Sequence, residues 1–232
     1  MQENKSILIT GSLDQQWSSY LSTRNLQVDV IPFIDIEYIS DSPSVQQINE
    51  TIGGQQIAVF TSSNAIHGVQ KILKTKPTGW KIYCVGKVSE QLARSFWGDQ
   101  VLSVNVNNSA ELANMVAKQE RSDFPVLFFC GDKRKDALPN LLTEAGFQLT
   151  EWIVYKNIAT PEIVQKAYDA ILFFSPSAVY SYYSKNQFPP NAQLWAIGAT
   201  TAAALKEFTQ QNIYTPLEQS KEQMIKEVAE SI

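Results

Sequence analysis

Hydrophobic residues in this chain come in short runs that stop at small polar residues, and stretches with apolar positions three or four apart follow them. An apolar run of four to eight residues closed by turn chemistry reads as a buried strand, and the periodic stretch after it as an amphipathic helix. The clearest strands are Ile7–Thr10, Ile57–Thr61, Ile82–Val85, Val126–Cys130, Ile171–Phe174 and Leu194–Ile197. Strands alternating with helices predict an α/β fold whose mostly parallel sheet is covered on both faces.

Several of these units resemble one another. Ala58-Val-Phe-Thr-Ser-Ser-Asn-Ala65 aligns with Ile171-Leu-Phe-Phe-Ser-Pro-Ser-Ala178, and Ile82-Tyr-Cys-Val-Gly86 with Leu194-Trp-Ala-Ile-Gly198. The same register later sets Phe96 on Phe208. Ile7-Leu-Ile-Thr-Gly11 resembles Leu127-Phe-Phe-Cys-Gly131, and Ser109 matches Ser220, each expected to cap a following helix. The pattern is therefore written twice, with a period of ~110–120 residues, too long for a solenoid. Two extended segments, Phe33–Ile39 and Trp152–Ile158, follow the first βα unit of each copy. They predict two connecting strands, 34–39 and 152–158, between a discontinuous lobe of residues 1–33 and 159–232 and a second lobe of residues 40–151.

Composition narrows the chemistry. Of 232 residues, 44% are hydrophobic and 18% charged, enough apolar content for a core. A formal net charge of −4 provides no basic field for nucleic acid or for an anionic membrane surface. No apolar run approaches the roughly 20 residues that span a bilayer, and the start lacks the features of a secretory signal, so a cytoplasmic protein is expected. Cys84 and Cys130 each close an apolar run and are expected as buried thiols.

Candidate chemistry lies in the loops after the strands. Thr61, Ser62, Ser63 and Asn64 precede a helix expected from Ala65 to Leu73, and Ser175 and Ser177 stand at the matched place. Hydroxyls and free N–H groups at a helix start suit an anion, although each serine taken singly is more simply read as a plain cap, and both can be true. Gly86 and Lys87 follow the third strand, as Gly198, Thr200 and Thr201 follow the last. Gly131-Asp-Lys-Arg-Lys-Asp136 holds the densest positive charge, and cations at a helix start are unfavourable, which favours carboxylate binding by Lys133 or Arg134. Neither a Gly-x-Gly-x-x-Gly nor a Gly-Lys-Ser/Thr motif occurs, so no nucleotide site is expected. The single histidine, His67, is expected in a packing or surface role, and no metal site is expected. Tyr155, in the second connecting segment, is either a packed tyrosine or a proton donor.

Taken together, Phe60-Thr-Ser-Ser-Asn-Ala65, Val85-Gly86, Cys130-Gly-Asp-Lys-Arg134, Gly146, Val154-Tyr155, Phe173-Phe-Ser-Pro-Ser-Ala178 and Ala196-Ile-Gly-Ala-Thr-Thr-Ala202 resemble the uroporphyrinogen-III synthase family over nearly the whole chain. The resemblance implies two flavodoxin-like lobes with parallel sheets, joined by a two-stranded connector. It implies a cofactor-independent hydro-lyase of tetrapyrrole and haem biosynthesis that closes hydroxymethylbilane, a linear molecule with eight carboxylates, into a macrocycle with ring D inverted and water lost. Tyr155 falls on the family's conserved tyrosine and is implied to be the catalytic acid. Thr61, Ser62, Ser63, Ser175, Ser177, Thr200 and Thr201 are implied substrate contacts; Asn64, Gly86, Lys87, Gly131, Lys133, Arg134 and Gly198 complete the candidate substrate-binding set. The chain departs from the family at Gly11 and Asn64, where many members carry arginine, and Lys87, Lys133 and Arg134 are candidates to compensate. A monomer acting on a small molecule is expected. The alternatives are a non-catalytic two-lobed binder of a small polyanion and a degenerate paralogue.

Overall fold

A computed structural model describes residues 5–232. The first part of the chain forms β1 (Ser6–Ile9), α1 (Gln15–Ser22), β2 (Gln27–Val30), β3 (Ile34–Tyr38), α2 (Ser42–Thr51), β4 (Gln56–Phe60), α3 (Ser63–Ile72), β5 (Trp80–Cys84), α4 (Lys87–Trp97) and α5 (Ser109–Gln119). There follow β6 (Val126–Gly131), α6 (Ala137–Glu144), β7 (Leu149–Ala159), β8 (Ala170–Phe173), α7 (Pro176–Tyr183), β9 (Gln193–Ala196), α8 (Ala199–Lys206), β10 (Ile213–Tyr214) and α9 (Lys221–Ser231). These elements divide into two compact units: residues up to Asp35 together with Ile158–Ile232, and Ile36–Asn157. Both divisions fall inside strands, β3 and β7.

Each unit is built around a five-stranded sheet, one in the order β2-β1-β8-β9-β10 and the other β5-β4-β6-β7-β3. The pairs β1–β2, β1–β8, β8–β9 and β9–β10, and likewise β4–β5, β4–β6 and β6–β7, are all parallel. Parallel strands are buried on both sides, and the two-residue side-chain period sorts each strand between two cores. In the second unit Ala58, Phe60, Ile82, Leu127 and Phe129 pack with Ile66, Val69 and Trp97 on one face. Ile57, Val59, Tyr83, Val126 and Phe128 pack with Leu112, Val116, Leu138 and Leu142 on the other. In the first unit Leu8, Ile171, Phe173 and Leu194 meet Val179, Tyr182 and Leu205, while Ile7, Ile9, Leu172 and Trp195 meet Leu21, Met224, Ile225 and Val228.

The duplicated pattern has a topological counterpart. Val101 makes an isolated parallel bridge to Ile82, beside β5, where β10 lies beside β9 in the other sheet. The orders β2-β1-β8-β9-β10 and β7-β6-β4-β5-Val101 then place β1 with β6, β8 with β4 and β9 with β5. In each sheet, strands from the first copy pair directly with strands from the second.

Local differences from the sequence reading have simple causes. Most strands end one residue early because Thr10, Thr61 and Val85 already turn into their loops. Two strands, β2 and β10, had no apolar run to announce them: both lie partly in solvent. Asn108, not Ser109, caps α5, its side chain accepting from the Glu111 N–H, whereas Ser220 caps α9 as expected. Helix α3 begins at Ser63 instead of Ala65 because Ser62 caps it.

Candidate functional site

Both sheets change winding direction once. The chain passes from β1 outward to β2 and then to β8 on the other side of β1, and likewise from β4 to β5 and then to β6. The crevice outside the carboxyl ends of the strands at such a switch is where open α/β sheets hold ligands. The loops singled out in the sequence lie at these edges, five of them after β4, β5, β6, β8 and β9.

In the second unit the edge is organised around Tyr155. Cys130 stands opposite Ile153 but Gly131 opposite Tyr155, so β7 carries one extra residue relative to β6. The bulge breaks the in-out alternation, and Val154 and Tyr155 both turn inward, with 0% and 9% of their surface exposed. Gly131 lies directly beneath the phenol: a Cβ there would sit 2.5 Å from Cζ and 2.8 Å from Oη of Tyr155. Gly68 of α3 gives the neighbouring residue the same room, since a Cβ on it would lie 2.8 Å from the Val154 carbonyl oxygen. Asp132 holds the strand beyond the bulge. Its N–H donates to the Tyr155 carbonyl at 3.2 Å, and its carboxylate accepts from the N–H and Nδ2 of Asn157 at 2.9 and 3.0 Å. Burial pushes the Tyr155 pKa above the ordinary 10.0; a hydrogen bond with Ser62 acts against the rise, and Cys130 and Asp132 add to it.

The hydroxyl loop after β4 is half-buried. Ser62 accepts from the Asn64 N–H at 3.2 Å, while the Ser63 hydroxyl lies 3.2 Å from that of Ser89, a buried residue in the first turn of α4. Thr61 and Asn64 flank them, partly exposed. Gly86, at φ +76°, occupies backbone space that favours glycine and starts α4 without a side-chain cap. Lys87 follows, exposed, at the mouth of a cleft of about 450 Å³ lined also by Glu90, Gln91, Ser103, Val104 and Asn105.

The basic loop after β6 requires a correction. It is a turn, with α6 starting only at Ala137, so its cations do not oppose a helix dipole. The Arg134 guanidinium is bound to both oxygens of Glu151, one at 2.9 Å, and to Asp136. Its charge is balanced within the protein, so it is not the free cation that was expected. Lys133 is exposed and makes no salt bridge among the described residues.

In the first unit Ser175 caps α7 by accepting from the Ala178 N–H at 3.2 Å, with Ser177 half-buried in the first turn. Gly198 starts α8 without a side-chain cap, and Thr200 is exposed in its first turn. Thr201, expected as a ligand contact, is only 1% exposed and belongs to the packing of α8. The Phe174 ring covers Gly11.

Other expectations concern residues outside these edges. His67 Nδ1 lies 3.3 Å from Gln70 Oε1 on α3. Cys84 and Cys130 are free and buried, and desolvation raises their thiols to about 12 and about 11. Among the described residues no helix is long and apolar enough to cross a membrane, and no cluster of His, Cys, Asp or Glu is arranged to hold a metal. Sequence reasoning missed Gly68, Ser89 and Asp132; only Gly68, a glycine inside a helical pattern, carried a signal of close packing.

Each unit is a doubly wound α/β sheet with hydroxyl-bearing loops and a helix start without a side-chain cap at its carboxyl edge, where open α/β folds hold ligands. The family model "Uroporphyrinogen-III synthase HemD" matches residues 15–226, and the chain belongs to that family. Among solved structures it resembles the uroporphyrinogen-III synthetase of Helicobacter pylori, with 17% identity, a TM-score of 0.72, and 98% of this chain and 99% of that one covered. A mutant uroporphyrinogen III synthase of Thermus thermophilus gives 14% identity and a TM-score of 0.66 over 98% and 97% of the two chains. At these identities the likeness is one of fold.

Proposed function

We propose that this chain closes hydroxymethylbilane to uroporphyrinogen III with inversion of ring D and loss of water, and that Tyr155 is the acid that starts the reaction. The observation that carries the assignment to Tyr155 is its phenol, turned inward by the bulge in β7 and seated on Gly131 at the carboxyl edge of the sheet. Because its pKa is raised, the phenol is neutral across the physiological range and carries a proton to give. That proton passes to the terminal hydroxyl of the substrate as its C–O bond breaks and water leaves, while the pyrrole nitrogen supplies the electron pair that forms a cationic azafulvenium, whose charge balances the phenolate. The hydrogen bond with Ser62 favours the charged phenolate left behind.

The remaining work is positioning. Ring inversion requires a flexible tetrapyrrole to be held so that ring D closes through its substituted carbon. In the second unit the start of α4, which has no side-chain cap, the hydroxyls of Thr61 and Ser63 and the ammonium groups of Lys87 and Lys133 each suit a carboxylate; in the first unit so do the start of α8, also without a side-chain cap, and the hydroxyls of Ser177 and Thr200. This reading treats the working protein as a single chain in the cytoplasm; sedimentation of the purified chain tests the first point.

The experiment is to supply hydroxymethylbilane, oxidise the products and separate the isomers. Mainly type III is expected; type I alone, the spontaneous product, refutes the activity. Tyr155→Phe should lower kcat by roughly 10²–10⁴-fold while the protein remains folded, and an unchanged rate makes Tyr155 a packing residue.

A further inference from the structure

The loops after β1, β8 and β9 of the first unit supply hydroxyls and N–H groups but no cation to its switch point. The segment leading into α9 does. Lys221 Nζ donates to the Ser12 carbonyl and lies 3.2 Å from the Ser12 hydroxyl, just beyond β1. The same ammonium stands 5.3 Å from the centroid of the Phe174 ring, just beyond β8. Two residues earlier, the Gln219 amide lies against Gly198, just beyond β9, where a Cβ would come within 2.2 Å of its Nε2. Two residues of one segment, Gln219 and Lys221, thus reach the carboxyl ends of the adjacent strands β9, β8 and β1.

Placement of a lysine here is not explained by helix stability. Lys221 is the first residue of α9, behind the Ser220 cap, where a positive charge opposes the helix dipole. Ser12 supplies two acceptors for a group with three donor hydrogens, so one N–H of the ammonium remains for another partner. Gln219 is exposed, and its amide can both donate and accept.

We propose that Gln219 and Lys221 form a carboxylate-binding wall of the substrate site in the first unit, with Lys221 as its charged contact. The proposal deepens the synthase reading and rests on it for the identity of the ligand, a polycarboxylated linear tetrapyrrole. Lys221 binds and orients substrate and takes no part in proton transfer, so its loss should appear in KM.

Two measurements on the full chain test this. In steady-state assays with hydroxymethylbilane, Lys221→Gln should raise KM about tenfold, the weight of one charge-assisted hydrogen bond, with kcat within about twofold. It should also flatten the dependence of kcat/KM on salt. Lys221→Arg should keep the parent KM, and Gln219→Ala should raise KM about threefold. A KM within twofold of the parent for Lys221→Gln, or an equal loss in Lys221→Arg, overturns the proposal. The second measurement is fluorescence titration with uroporphyrin, the stable oxidised octacarboxylate: the parent should bind it and Lys221→Gln should bind it about tenfold more weakly. No binding by the parent, or equal binding by the variant, also overturns the wall. A parent that makes no type III isomer refutes the synthase reading by itself, and the titration still decides Lys221.

Discussion

Gly131→Ala is the sharpest probe of how the site is built, because the cost of the added methyl group can be worked from the structure. Its Cβ would meet Tyr155 Cζ at 2.5 Å, where ordinary carbon contacts begin at about 3.4 Å. The ring must therefore move by about 1 Å, and displacement of a reacting group by that distance can cost about 10²-fold in rate. Overpacking of this kind also costs about 1–3 kcal/mol of stability, which at roughly 2–4 °C per kcal/mol for a chain of this size remains measurable in a thermal melt. We expect kcat for type III formation to fall about 100-fold, KM to change less than about threefold, and the type I share to rise as spontaneous closure competes. Gly53→Ala is the matched control, since its methyl group would meet nothing within 4 Å, and should leave rate and melt unchanged. A folded Gly131→Ala protein with kcat within about threefold of the parent would show that the position of the phenol does not limit the reaction.

Further predictions follow from the pairings and titrations. Arg134→Gln should lower the melting temperature but leave KM within about twofold, because Glu151 and Asp136 already occupy the guanidinium, whereas Lys133→Gln should raise KM; equal KM effects would refute that division. The pH–rate profile should show no loss attributable to Tyr155 until the pH passes the ordinary phenol value of 10.0, since its proton is held more tightly than usual; an acid-donor limb below that value would count against the assignment. Asp169 accepts from Lys5 Nζ and from the N–H and hydroxyl of Ser6, and the Lys5 bond first, with Ser6, holds its carboxyl below the ordinary 3.8. The stability from this depressed pKa is fully present above the unfolded-state value and is lost as pH falls through the lower folded one. Asp169→Asn should therefore lower the melt at neutral pH and flatten its acid limb, and parallel curves would refute the linkage. Cys84 and Cys130 should resist a disulfide-exchange reagent at neutral pH in the native state and react on unfolding.

Much of the architecture was legible because parallel strands buried on both faces are written as unbroken apolar runs, as in Val126–Cys130 and Ile171–Phe174. What escaped notice depends on partners distant in sequence. Nothing near Arg134 shows that Glu151 will pair with it from β7, and an aspartate in a basic run gives no hint that it will accept from Asn157. The bulge at Val154 is visible only once β7 is set against β6. Thr200 and Thr201 look equivalent as letters, and the helix period alone sends one outward and the other into the core. Gln219 and Lys221 were overlooked because β10, the two-residue strand before them, has no apolar run to mark their loop as a strand end.

The direct pairing of strands from both copies in each sheet has a consequence for synthesis of the chain. Strand β1 needs β8, and the Ser6–Asp169 bonds that begin this pairing join residues 163 apart in sequence. At cellular elongation rates of about 5–20 residues per second, the apolar Ser6–Ile9 segment waits on the order of 10 s for its partner, while all of Ile36–Asn157 has already been made. The middle unit can thus mature before the one that contains β1, and β1, which has only β2 beside it until β8 is made, leaves one greasy strand edge open for the interval in which a nascent-chain chaperone would act.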